Sequence, residues 1–152
     1  MWISGRLLVA VIFVSVGIIP TSSRAQSIEA VLRQYRLTGS PWSVDCNKPR
    51  GPGNWYGTYT ATGGTAKLVY DNGKTKNVYK IVSARALSST DLLMTQEFLS
   101  QFHEILIRVE GDHYKTLSSK LPDGRFKVKD GTFADLTESA GQKSPVLDRC
   151  QH

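Results

Sequence analysis

The sequence predicts a mainly β domain: a single antiparallel meander of about eight strands preceded by one short helix. Three observations carry this. From Trp42 to Lys129 apolar residues mostly recur at every second position, the period of a half-buried strand. Clusters of Gly, Asn, Asp, Ser and Pro interrupt that pattern about every ten residues. Convincing helical spacing occurs once, near the start of the domain.

Ser27 to Leu37 is that helix. Ile28, Val31, Leu32 and Tyr35 share a face, Ser27 is placed as the N-cap, and Glu29 lies in the first turn, where a negative charge is favourable. Gly39 and Pro41 end it. Trp42, Val44 and Cys46 then alternate with Ser43 and Asp45 as a first strand. Asn47 to Asn54 is dense in Pro and Gly and reads as a loop. Trp55 to Thr62 is a Tyr- and Thr-rich strand, Gly63-Gly64 a tight turn, and Ala66, Leu68 and Tyr70 mark the next strand. Asp71-Asn72-Gly73 is the strongest hairpin signal, because Asn and Gly tolerate positive φ.

Lys76 to Leu87 is a long strand, and Ser88-Ser89-Thr90 turns the chain. Asp91 to Leu99 fits a strand or a short helix by periodicity, and its strand neighbours favour a strand. His103 to Glu110 alternates cleanly, with Ile105, Ile107 and Val109 on one face. Tyr114 to Lys120 follows the Gly111-Asp112 turn, and Leu121 to Gly124 turns again. Phe126 and Val128 then point one way and Arg125, Lys127 and Lys129 the other. Asp130 to Pro145 loses the pattern, and Val146 to Cys150 is a last short strand. Such a rhythm fits a closed up-and-down barrel or a sandwich; closure has the advantage of removing exposed strand edges.

Residues 1–25 read as a secretory signal peptide: a short start with one positive charge at Arg6, an apolar run from Leu7 to Ile19, then Pro20 and a small, polar stretch ending at Ala25. The apolar run of 13 residues would rise about 20 Å as a helix, short of a hydrocarbon core of about 30 Å. The expectation is therefore cleavage after Ala25, no membrane span thereafter, and one domain over residues 26–152. The formal charge of the whole chain is +6. It is mildly basic without Arg6 and Arg24, which favours anionic partners weakly, and in an exported protein nucleic acid is a poor candidate. The two cysteines, Cys46 and Cys150, form an even pair; in an oxidising compartment they read as one disulfide.

A helix, a glycine, a tryptophan opening the first strand, a meander and a late arginine, here Gly39, Trp42 and Arg149, resemble the lipocalin-like barrels. In that family one residue separates the glycine from the tryptophan; here Ser40 and Pro41 both do. The resemblance implies a lipocalin-like barrel in which Arg149 packs on Trp42. The segments Trp42-Ser43-Val44-Asp45-Cys46 and Val146-Leu147-Asp148-Arg149-Cys150 also resemble those of small exported proteins of alpha-proteobacteria, which pair an early Trp-Asp-Cys strand with a C-terminal cysteine. That implies a periplasmic or secreted bacterial protein and names no activity.

No catalytic signature stands out. No serine sits in a nucleophile elbow and no glycines form a phosphate loop. Asp45 lacks an assignable acid–base partner. His103 and His113 flank one hairpin; their approach at one end of it, with Glu104 or Asp112 completing a metal site, is the sharper alternative, but strand-end histidines are usually solvated, and no metal or other cofactor is expected. Lys74, Lys76 and Lys80, and Arg125, Lys127 and Lys129, read as solvated faces, with anionic lipid as the sharper alternative. The expected function is non-enzymatic: binding of a small apolar ligand or lipid inside the barrel, lined by Tyr59, Tyr70, Ile81, Met94, Phe98, Ile107 and Phe126. The alternative is a periplasmic protein–protein module, such as a protease inhibitor, acting through the Asn47–Asn54 loop or the N-terminal segment.

Overall fold

A computed structural model describes residues 26–151 apart from Leu136. The proposed signal peptide lies outside the described residues. Helix α1 (Ile28–Gln34) is followed by ten strands in one antiparallel sheet: β1 (Trp42–Ser43), β2 (Tyr56–Thr62), β3 (Thr65–Asp71), β4 (Lys76–Ala86), β5 (Asp91–Phe98), β6 (Gln101–Glu110), β7 (His113–Lys120), β8 (Phe126–Lys129), β9 (Thr132–Phe133) and β10 (Val146–Arg149).

The sheet closes. β10 pairs with β1 on one side, Trp42 opposite Arg149, and with β7 on the other, Leu147 opposite Tyr114, so that β1 to β7 and β10 form an eight-stranded barrel. β7 has a second tenant on the same edge. Its first residues pair with β10, and Ser119 and Lys120 at its far end pair with β8, from which β9 continues as a flap. The loop-like stretch after Lys129 in the sequence thus carries the flap and returns the chain to close the ring.

Helix α1 is shorter than its periodic pattern. Ser27 caps it by accepting the Ala30 N–H at 3.2 Å, and Arg36 with φ +54° turns the chain out. Val31, Leu32 and Leu37 are buried against the barrel, and the Tyr35 hydroxyl donates to the carbonyls of Ser88 and Asp91 in the β4–β5 connection. The helix therefore lies at the barrel end bearing the β2–β3, β4–β5 and β6–β7 turns. Trp42, fully buried, donates its indole N–H to the Leu37 carbonyl at 3.0 Å.

Three sequence expectations are corrected here. The first strand stops at Ser43; Val44 is 47% exposed and Asp45 belongs to a turn, held by the Asn47 N–H at 3.0 Å. Leu99-Ser100 is the β5–β6 turn, both residues at positive φ, although leucine is not a typical turn former. Phe126 does not share a face with Val128. The β7–β8 register slips between Ser119 and Lys120, so Val128 is buried inside while Phe126 lies between Lys120 and Lys129, each ammonium 5.9 Å from its ring centroid.

Candidate functional site

Alternation along β2 to β7 sends two kinds of side chain inward. Near α1 they fill the barrel: Ala66, Ile81, Leu92 and Met94 are buried in a continuous core. Towards the opposite end they leave a cavity of about 520 Å³, within the usual range for small-molecule sites.

The deep wall of the cavity is made by Tyr59, Leu68, Ile107, Tyr114 and Leu147. Tyr114 is the hub. Its ring meets Trp42 edge-on at 5.0 Å and Tyr59 at 6.2 Å, and its hydroxyl is hydrogen-bonded to that of Tyr70 at 3.1 Å. Burial pushes all three phenols above the ordinary tyrosine range, so they are neutral hydroxyls that can donate or accept. Gly57 opposes Tyr70 across the β2–β3 ladder, and a Cβ there would come within 2.9 Å of the Tyr70 ring; the glycine makes room for the ring that shapes the wall.

Higher up, Tyr79, Gln96, His103, Ile105 and Ser119 line the cavity, and Trp55, Lys127, Phe133 and Pro145 surround its mouth. The Asn47–Asn54 loop reaches this mouth through Pro52 and Gly53. It is tied to the barrel rather than loose. The Asn54 amide donates to the carbonyls of Asp45 and Lys48, the Tyr56 hydroxyl donates to Lys48 at 2.7 Å, and the Arg50 guanidinium sits 5.3 Å from the Tyr56 ring centroid. Cys46 and Cys150, their Cα atoms 5.3 Å apart, join the root of this loop to the end of β10 as a disulfide.

Of the residues expected to line a pocket, Tyr59, Tyr70 and Ile107 do. Ile81 and Met94 belong to the filled core instead, at 2% and 0% exposure. Phe98 stacks on Tyr79 at 4.6 Å, supporting a lining residue from beside it, and Phe126 is on the outer side of the flap. Arg149 lies over Trp42, 4.8 Å from the ring centroid, the packing that the resemblance implied.

His103 and His113 are separated, not paired. His113 sits beside the β6–β7 turn opposite Glu110, whereas His103 is at the far end of β6, opposite Gln96 of β5. His113 is tied outside the barrel to the Asp148 carboxylate at 2.6 Å. Among the described residues no three His, Cys, Asp or Glu side chains come together. The Asp45 carboxylate is held below its usual range by Lys48, 3.1 Å away, and by the Asn47 N–H. The lysine faces are partly paired: Lys76 with Asp71 at 3.5 Å and Lys80 with Glu97 at 3.8 Å.

Sequence reasoning missed Gln96, His103, Tyr114 and Lys127 as lining residues. A signal existed for three of them. Gln96 shares the parity of Leu92 and Met94, His103 that of Ile105 and Ile107, and Tyr114 opens a strand on its inward face. Lys127 had none, because a slip in register places it.

No family model, curated protein or solved structure matches the chain. Among the described residues no helix is long and apolar enough to cross a membrane.

Proposed function

We propose that this protein is an exported, lipocalin-like carrier of the bacterial envelope, which holds a small, largely apolar molecule inside the barrel. The observation that carries this reading is the cavity of about 520 Å³ walled by Leu68, Ile105, Ile107 and tyrosine rings, with neutral hydroxyls as its deep polar groups. A barrel of eight strands can be filled by its own side chains or can hold one ligand. Here the half next to α1 is filled and the other half is hollow. A merely structural barrel gains nothing from hollowing one half, since packing defects reduce stability.

Export supports the same role. The leader-like segment over residues 1–25 and a disulfide joining sequence-distant cysteines both suit an oxidising compartment. The test is native mass spectrometry of protein purified from its host, followed by titration with a lipophilic fluorescent probe. A bound small molecule, and probe binding lost on filling the cavity by Leu68→Trp, are expected. A folded protein with neither bound ligand nor probe affinity would remove the carrier reading.

A further inference from the structure

The barrel end away from α1, where the cavity opens, carries the β3–β4, β5–β6 and β7–β8 turns. The middle one has an apolar tip. β5 and β6 are joined by a two-residue loop, Phe98 being paired with Gln101, and both loop residues lie at positive φ, Leu99 at +50° and Ser100 at +61°. That geometry favours Asn and Gly. A leucine there strains the turn and, at 82% exposure, gains little from burial. The inward side of the tip is taken by Phe98, stacked on Tyr79, and Leu99 projects past it.

Leu99 is not alone. Phe102 lies opposite Glu97 on the outer face of the sheet, beside the buried His103, and is 51% exposed. Lys80 is level with Glu97, so the same ladder carried two positions further puts Val78 level with Leu99. Val78 turns outward, since its neighbour Tyr79 lines the cavity, and it is 50% exposed. Single exposed apolar residues need no explanation, but these three gather at one edge of the mouth.

The surrounding charge indicates what covers them. On the neighbouring β3–β4 turn, Arg50 and Lys76 share a single acid, Asp71, at 3.8 Å and 3.5 Å, and the exposed Lys74 has no acidic partner among the described residues. The other acids of the three hairpins each face a cation: Glu97 faces Lys80 at 3.8 Å, Glu104 faces Lys120 across the β6–β7 ladder, and Asp123 holds Arg125 at 2.7 Å. The apolar edge is therefore fringed by positive charge. Three side chains bury far less than the roughly 800 Å² per partner of a stable protein interface. A protruding leucine backed by cations suits a fluid, negatively charged surface, which closes around it without needing a complementary shape.

We propose that this edge of the mouth docks on an anionic phospholipid surface, Leu99 entering the interface with Phe102 and Val78 behind it, while Arg50, Lys74 and Lys76 meet the headgroup charge. Docking stands on the outer edge alone. Its use, passage of an apolar molecule between bilayer and cavity without crossing water, rests on the carrier reading.

The experiment is flotation of the protein, as its host exports it, with vesicles of phosphatidylethanolamine and phosphatidylglycerol, and with vesicles of phosphatidylcholine alone. Binding to the anionic vesicles only, weakened by added salt, is expected. Leu99→Asn should reduce that binding by about tenfold or more, yet leave the urea midpoint unchanged or raised, since asparagine suits the turn. Unchanged binding with a lowered midpoint would mean that the leucine serves stability, and overturns the docking. Lys74→Gln with Lys76→Gln should weaken binding on the order of tenfold and flatten its salt dependence. Equal binding to both kinds of vesicle overturns the docking, as does a Leu99-dependent dimer in place of vesicle binding. No vesicle binding, with the lipophilic probe still held, overturns the docking and leaves the carrier reading intact. Vesicle binding by a protein without probe affinity does the reverse.

Discussion

Arg149 covers the Trp42 ring at 4.8 Å, and the same guanidinium donates to the Arg36 carbonyl and lies 3.2 Å from the Asp112 carboxylate. One side chain thereby links the last strand, the exit of the helix and the β6–β7 turn. Its position follows from register: Trp42 and Arg149 are partners in the β1–β10 ladder that closes the barrel, which is only two residues long. Most of the side chain is covered, so the cation–π contact and the bond to the carbonyl act where water screens little.

Replacing Arg149 should therefore loosen barrel closure. Arg149→Met keeps the apolar stem but loses the charge and the bonds, and the expected cost is about 1–3 kcal/mol. Arg149→Lys should recover part of this, because a point charge cannot face the ring and reach the carbonyl as a planar guanidinium does. Urea midpoints of the three proteins measure it. Three equal midpoints would mean that the contact contributes nothing.

Cys46 and Cys150, separated by 104 positions in sequence, hold the same seam from the other side of β1. The chain-entropy model gives about 4–5 kcal/mol for a loop of this size. Cys46→Ser with Cys150→Ser should lower the urea midpoint accordingly. The mouth loop should also open, because Cys46 is where that loop starts. Limited proteolysis in the 47–54 segment, absent in the oxidised protein and fast in the double variant, separates this effect from a uniform loss of stability.

Gly57 is where packing and cavity shape meet. An added Cβ would lie 2.9 Å and 3.3 Å from two Tyr70 ring carbons and 3.4 Å from Leu68. The Tyr70 ring cannot simply swing away, since its hydroxyl is bonded to Tyr114 and its edge meets Tyr79 at 6.0 Å. Gly57→Ala should cost about 1–3 kcal/mol through overpacking. It should also weaken lipophilic-probe binding, with Gly57→Ala/Tyr70→Leu restoring part of the stability. An unchanged midpoint for Gly57→Ala would show that the wall yields more readily than its contacts suggest.

The meander was legible because its signals were local. Asn72 and Gly73 name their own turn, and the parity of Ile105, Ile107 and Val109 shows which face of β6 is inside. Barrel closure was only partly legible. Pairing of β10 with both β1 and β7 depends on contacts about a hundred residues apart, which the cysteine pair indicated and periodicity did not. The cavity divided in the same way. Tyr59, Tyr70 and Ile107 follow from alternation, but whether an inward residue faces a hollow or a packed core depends on what α1 fills, and that separates Ile107 from Ile81 and Met94. Phe126 and Lys127 exchanged roles because the register slips just before Val128, which keeps its inward place while Phe126 falls on the outer face, and no residue nearby announces a bulge.

The tyrosine cluster gives the chain a particular response to alkali. Of its six tyrosines, Tyr59, Tyr70 and Tyr114 are held neutral inside the barrel chiefly by burial, with pKa values raised above that of a free phenol. In the unfolded chain they ionise near about pH 10. Below that pH both states keep the protons and the cluster contributes its full stability. Above it the unfolded state releases protons first, so stability falls as pH rises, by roughly 1.4 kcal/mol per pH unit for each withheld phenol. Tyrosinate absorbance followed alongside circular dichroism should show these three phenols appearing together, at the pH where the β signal is lost. Tyr114→Phe should shrink that step and shift it, because it removes both one phenol and the hydroxyl that bonds Tyr70. Smooth ionisation of all the tyrosines near pH 10 in a protein that is still folded would mean that solvent reaches the deep wall, and that the cavity is wetter than its lining implies.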